Sequence, residues 1–231
     1  KFVGHEITPS VLYEYQTINR LAFFICSPEG SRHKSLVRLQ KGDTRIFPKL
    51  FCVHPVGGSA MAYLGMVEKI VDEIPVYAFS NEGDSVPDDD LVAMAKHYVT
   101  EMQAEQSEGP YYLMGYSFGG TVAFEMACQV LANGGEIGGL FLVDSPAPLY
   151  NGEAKVQRLS QQDGYSGFFD SAIVNQLIPD QLSDAEREKM QLRIDKNHRA
   201  LAEYRIDAGA VRPQLRMLRA SAEAPDLREA I

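Results

Sequence analysis

Cysteine is scarce, basic clusters are missing and no long apolar run occurs, and each of these absences excludes a class of protein. Only Cys26, Cys52 and Cys128 are present, an odd number at wide spacings with no Cys/His pair at metal-ligand intervals, so neither a disulfide framework nor a zinc site is expected. Cys52 and Cys128 fall inside apolar runs and read as small core residues. The 22 Lys and Arg are outnumbered by 31 Asp and Glu, for a formal net charge of −9. With no dense basic patch to track phosphates, nucleic acid is excluded as a partner. No stretch approaches the roughly 20 apolar residues of a membrane helix, and the first residues lack the basic, apolar and small-residue regions of a signal peptide. No membrane association is expected, and a cytoplasmic location is the default.

What is there is ample apolar material. The 231 residues are 45% hydrophobic, enough for one ordinary domain with a substantial core. From Leu50 onward short apolar runs alternate with helical periodicity, which predicts an α/β fold: a mostly parallel sheet with helices on both faces. Strands are predicted at Leu50 to His54, Pro75 to Ser80, Tyr111 to Tyr116, Gly139 to Asp144 and Leu215 to Ala220. Between them, Met61, Leu64, Val67, Ile70 and Val71 recur at helical intervals. A second helix has Leu91, Met94, Ala95, Tyr98, Val99 and Met102 on its inward face, and a third, Phe118 to Leu131, has Val122, Ala123, Met126, Ala127 and Val130 inward. Asn133, Gly134 and Gly135 stop that third helix. Pro146 to Ala210 contains no clear strand and one long helix starting at a capping box, Ser183 with Glu186, and reads as a helical insertion.

Gly115-Tyr116-Ser117-Phe118-Gly119 matches G-x-S-x-G at a strand-to-helix junction, the context that motif requires. A serine at such a sharp bend is strained with its hydroxyl exposed, so Gly115, Gly119 and the adjoining Gly120 must lack a Cβ. The backbone N–H of Phe118, at the N-terminus of the next helix, points to where a tetrahedral oxyanion would form. A second donor is expected from the loop after the first core strand, His54-Pro55-Val56-Gly57-Gly58, with the Val56 N–H as candidate; the same residues also suit a plain strand-to-helix turn. Asp144 closes the strand after the nucleophile helix, which puts its carboxylate on the sheet edge of Ser117. Asp144-Ser145-Pro146 is also ordinary Asx-turn chemistry, and both readings can hold.

A serine hydroxyl needs a base, and the chain order Ser, acid, His calls for a late histidine. After Asp144 only His198 remains, inside a helix whose stripe is Met190, Ile194, Asn197, Leu201 and Tyr204, and it reads as a partly exposed helix residue rather than the base. His54 leaves a strand end, His97 sits on a helix among polar neighbours, and His5 and His33 precede the core. The alternation also demands another helix and strand after Ala220. The catalytic histidine is therefore expected in a C-terminal piece of about 40 residues beyond Ile231.

These residues resemble the thioesterase domains that end polyketide synthases, nonribosomal peptide synthetases and animal-type fatty acid synthases, over about Leu36 to Ala220. The likeness is carried by Leu50-Phe51-Cys52-Val53-His54-Pro55-Val56-Gly57-Gly58, by Gly109-Pro110-Tyr111-Tyr112-Leu113-Met114-Gly115-Tyr116-Ser117-Phe118-Gly119-Gly120, and by Phe141-Leu142-Val143-Asp144-Ser145. It implies an α/β-hydrolase fold with a helical lid at about 146–210, Ser117 as nucleophile, Asp144 as acid, and Val56 and Phe118 as oxyanion donors, with Gly57, Gly58, Gly115 and Gly119 as motif glycines. The implied activity is release of an acyl, polyketide or peptidyl chain from a carrier-protein phosphopantetheine thioester through an acyl-serine intermediate, by hydrolysis or cyclisation. No cofactor and no metal are expected in the domain itself, and its implied partner is the acyl or peptidyl carrier domain of the same synthase. Ile7 to Ala22 is similar to the closing helices of such a carrier domain, which implies a carrier remnant at 1–28, a linker at 29–35 and a thioesterase domain at 36–231, C-terminally incomplete. An amphipathic N-terminal helix of the same domain is the other reading of that segment. Two further readings stay open: a discrete editing thioesterase or esterase, and, given the absent histidine, a non-catalytic α/β-hydrolase scaffold.

Overall fold

Among the described residues six strands form a single sheet in the order β1-β3-β2-β4-β5-β6, where β1 is Leu36–Gln40, β2 Leu50–Val53, β3 Val76–Phe79, β4 Tyr111–Tyr116, β5 Ile137–Val143 and β6 Arg216–Leu218. The structure, a computed structural model, describes residues 7, 9–18, 21–22, 35–82, 86–146, 184–206, 213 and 216–218. Every neighbouring pair is parallel except β1 with β3. All four residues of β3 and three of the four in β2 are buried, the uninterrupted burial of strands covered on both faces.

Because side chains alternate across a strand, β2 feeds two cores. Phe51 and Val53 join the larger one with Phe79, Leu113 and Leu142, while Cys52 joins the smaller one with Val37, Val76 and Ala78. Helices α3 (Leu91–Glu105), α4 (Phe118–Ala132) and α5 (Asp184–Glu203) cover the first. A 3-10 turn, Ala60–Tyr63, runs into the one-turn α2 (Leu64–Val67) over the second. On that second side α1 (Pro9–Glu14) sets the Tyr13 hydroxyl to donate to the Leu39 carbonyl at 2.8 Å. The predicted inward faces of α3 and α4 are buried at every position named from the sequence. Asp90 caps α3, its carboxylate accepting from the Val92 and Ala93 amides at 2.9 and 3.2 Å. Both Cys52 and Cys128 are buried, as expected of small core residues.

Two expectations are corrected, and one strand was not foreseen. The helix predicted after β2 is only the 3-10 turn and α2, and Val71 is 53% exposed rather than inward. A 3-10 turn repeats every three residues, so it presents nearly the spacing of an α-helix without its length. The strand not foreseen is β1, an antiparallel edge strand with a short apolar alternation; its start is held by Glu101, whose carboxylate accepts from the Ser35 and Leu36 amides at 3.2 and 2.9 Å. The other correction is that His54, Ser80 and Asp144 lie one residue past their strands, where the chain turns off the ladder, and β5 starts earlier, at Ile137. Ser183, the lid residues 147–183, most of the 29–35 linker and much of the 1–28 segment lie outside the described residues.

The chain passes through the sheet centre at β2, moves outward to β3, then crosses back to β4 on the other side of β2. In a doubly wound sheet, such a reversal opens a crevice at the carboxyl ends of the two central strands. The loops after β2 and β4 meet there.

Candidate active site

Ser117 joins β4 to α4 with φ 53° and ψ −124°. A non-glycine residue there costs on the order of 1–3 kcal/mol and persists only when its surroundings impose it. Here they do. The Ser117 N–H donates to the Val143 carbonyl at 2.9 Å, and the Gly120 N–H donates back to the Ser117 carbonyl at 3.0 Å. Immediately upstream the Tyr116 N–H donates to the Tyr63 hydroxyl at 3.0 Å, and that buried hydroxyl donates to Val53 on β2 at 2.5 Å. A Cβ on Gly115 would collide with the Gly119 carbonyl, and one on Gly119 with the carbonyls of Val53 and His54. Gly115 is thus demanded by the tightness of the elbow itself, and Gly119 by its contact with the end of β2. Eleven of the fifteen α4 residues are buried, so the helix presents Ser117 from a fixed base.

The loop after β2 is set by its carbonyls. His54 is wholly buried; its Nδ1 lies 2.7 Å from the Pro55 carbonyl and its Nε2 2.7 Å from the Tyr98 hydroxyl. A carbonyl can only accept, so Nδ1 carries the proton and Nε2 accepts from Tyr98. Burial pulls the His54 pKa down to about 4, and the ring is neutral with both nitrogens engaged. The Gly58 N–H also donates to the Pro55 carbonyl, at 2.9 Å. In a trans peptide the N–H points opposite the C=O, so pinning Pro55 inward turns the Val56 N–H the other way. Among the described residues no acceptor bonds that N–H, and Phe118, as the first residue of α4, has no intrahelical acceptor for its own. The His54 and Phe118 rings stack with centroids 5.9 Å apart, so the two donor segments touch. Of the glycine pair, Gly58 is required by its φ of 84° and by the Asn81 side chain against it, whereas a Cβ on Gly57 meets nothing within 4 Å.

Asp144 follows β5 with φ 45°, exposed, in a left-handed conformation that Asp tolerates better than most residues. Val143 pairs with Tyr116 in the β4–β5 register, which puts Asp144 and Ser117 side by side on the carboxyl edge. The Ser145 hydroxyl ties the turn back to the Val143 carbonyl at 3.2 Å. Ser117, Phe118, Val56 and Asp144 are therefore gathered at one crevice. None of the histidines among the described residues, His54, His97 and His198, brings its ring to Ser117 or Asp144. His97 on α3 sits 3.6 Å from Glu101, and His198 is half-buried on α5, its pKa lowered by burial. Neither Ser117 nor Asp144 hydrogen bonds a histidine among the described residues.

Two residues that touch the loop after β2 were not singled out as site residues from the sequence, although Asn197 was placed on its helical stripe. Asn197 of α5, wholly buried, donates through Nδ2 to the Val56 carbonyl at 2.7 Å. Arg193, one turn earlier, donates to the Gly57 carbonyl at 3.4 Å and the Glu82 carbonyl at 3.1 Å. The signal was present: an asparagine on an otherwise apolar stripe must find a polar partner when buried.

The Thioesterase domain family matches residues 48–224. The chain is 33% identical over 147 residues to the probable non-canonical nonribosomal peptide synthetase CymA of Salinispora arenicola, covering 62% of this chain and 2% of that protein. To a dimodular nonribosomal peptide synthase of Bacillus subtilis it is 32% identical over 149 residues, covering 62% and 6%. It thus spans a small fraction of the length of these relatives. Among solved structures, the NocB thioesterase domain in covalent complex with a fluorophosphonate nocardicin G analogue is similar at TM-score 0.53 and 29% identity, over 68% of this chain and 66% of that one.

Proposed function

The chain belongs to the thioesterase-domain family, and from that premise we propose that Ser117 takes an acyl or peptidyl chain from the phosphopantetheine thioester of a carrier domain and releases it by hydrolysis or cyclisation. The Ser117 Oγ bonds to the thioester carbonyl carbon as its proton passes to a base. The resulting oxyanion lies against the Val56 and Phe118 amides, and its collapse breaks the C–S bond and expels the pantetheine thiol. Water then attacks the acyl-O-serine, or a hydroxyl or amine of the chain itself does; the base takes the nucleophile's proton and returns one to Oγ as the acyl C–Oγ bond breaks, which frees Ser117 and gives an acid or a ring. Asp144 orients and stabilises the protonated base. The observation that carries this reading is the imposed positive-φ bend at Ser117, touching the loop whose Val56 N–H is turned outward. Residues 1–28 are proposed to be the end of the carrier domain, with α1 resting on β1 through Tyr13.

The test is release from an acyl-loaded carrier domain by the natural full-length protein, followed by chromatography of the product. Wild type is expected to yield acid or ring and Ser117→Ala none above the uncatalysed rate; equal release by the variant contradicts the proposal.

A further inference from the structure

The four carbonyls of the Pro55 to Gly58 loop are all gripped from the protein side. Pro55 accepts from His54 and Gly58, as described, and Gly58 accepts from the Asn81 N–H at 2.9 Å and the Ser80 hydroxyl at 3.1 Å. These grips come from the loop itself and from residues just past the ends of β2 and β3. The other two, on Val56 and Gly57, come from Asn197 and Arg193 of α5, 141 and 136 residues away along the chain. Asn197 is itself oriented, because Asn81 Nδ2 donates to its Oδ1 at 3.2 Å. That leaves its Nδ2 aimed at Val56. Each peptide unit is planar, so the Val56 residue is bracketed: His54 fixes the plane that bears its N–H, and Asn197 fixes the plane that bears its C=O.

We infer that Asn197 is a positioning residue, holding the Val56 carbonyl from α5 so that the Val56 amide keeps the direction in which it meets a developing oxyanion. The inference rests on the proposed role of Val56. Its consequence is that the oxyanion loop is complete only while α5 is seated on it. The helix packs there through Ile194 and Ala200, 1% and 2% exposed, and through the Lys196–Asp88 ion pair at 2.9 Å. Without the Asn197 bond the loop keeps the grips on Pro55 and Gly58 and its fold but loses one of the two constraints on Val56. The deficit falls on the transition state rather than on ground-state binding.

The experiment uses the natural full-length protein and a fluorophosphonate probe, whose phosphoryl oxygen would occupy the same place as the oxyanion. Asn197→Asp keeps the shape and the bond from Asn81, and its carboxylate form, which is reached on raising the pH against the upward push of burial, cannot donate to Val56. Asn197→Leu removes both bonds. A loop displaced by about 1 Å costs on the order of 10²-fold, so each variant is expected to lower the maximal labelling rate at Ser117 by about tenfold or more, with the concentration for half-maximal rate unchanged. A purely structural role would move that concentration or the melting temperature instead. If Asn197→Leu fails to fold, Arg193→Met, which gives up the Gly57 grip together with the Glu82 bond but leaves Asn197 on Val56, serves with Asn197→Asp, and a smaller loss in the same parameter is expected. Folded variants that label at the wild-type maximal rate overturn the assignment, as does a loss confined to half-saturation. Labelling that persists in Ser117→Ala overturns the nucleophile reading beneath it, and the inference with it.

Discussion

Gly119→Ala isolates the contact on which the crevice is built. In an ordinary helix this change is stabilising by about 1 kcal/mol, since alanine has the higher propensity. Here the new Cβ would stand 2.5 Å from the His54 carbonyl oxygen and nearer still to that of Val53, where real contacts stop at about 3.0 Å. Both obstacles are backbone at the end of a central strand, and neither can swing aside. The helix must retreat by roughly 0.5–1 Å, yet it is buried on eleven of fifteen residues and has nowhere to go without disturbing the larger core. Overpacking of this kind costs about 1–3 kcal/mol, which outweighs the propensity gain. The same retreat separates the Phe118 amide from the Val56 loop, so labelling of Ser117 by a fluorophosphonate should slow by about 10–10²-fold. Gly65→Ala in α2, where a Cβ meets nothing within 4 Å, is the control and should keep wild-type labelling with equal or slightly higher stability. Urea unfolding and labelling rates measure both effects. If Gly119→Ala behaves like Gly65→Ala, the close approach is not what organises the site.

Asp144→Asn should retain the fold, because the residue is exposed and its turn is tied by Ser145, while lowering turnover of the full-length protein on the order of 10³–10⁴-fold if Asp144 orients the base; activity within tenfold of wild type would remove it from the site. His54 supplies a pH signature. Its folded pKa of about 4 lies below the unfolded value of about 6.5, so its neutral-form stabilisation is full above pH 6.5 and is lost as pH falls towards 4, by about 3 kcal/mol in all. Denaturant titrations from pH 7 to pH 4 should show that decline in wild type and a flatter profile in His54→Gln; parallel profiles would contradict it.

Much of the fold was legible because its strongest signals are local. Periodicity identified the inward faces of α3 and α4, and the strand Tyr111 to Tyr116 was read to the residue, since its ends are punctuated by Pro110 and by the Ser117 elbow. That Ser117, Phe118 and Asp144 lie together at one edge of the sheet was legible for the same reason: a glycine-flanked serine between a strand and a helix leaves few geometries, and β5 must bring its end beside it. What escaped depends on contacts far apart in sequence. The pairing of β1 with β3, the Tyr63 bridge between β2 and β4, and the reach of Asn197 to Val56 each join segments whose nearness only the folded chain reveals. Asn197 illustrates the difference, because its place on the stripe was read correctly but the carbonyl it satisfies lies 141 residues upstream. The glycine pair of the loop after β2 was read as one unit, but only Gly58 is required by its conformation.

The central claim is that the Ser117 hydroxyl is the group that becomes acylated. Incubating the natural full-length protein with a fluorophosphonate probe, then weighing it intact and mapping the modified peptide, addresses this in one step. One adduct per chain is predicted, on Ser117 and absent from Ser117→Ala. An adduct on any other residue, or the same mass gain in the variant, would contradict it.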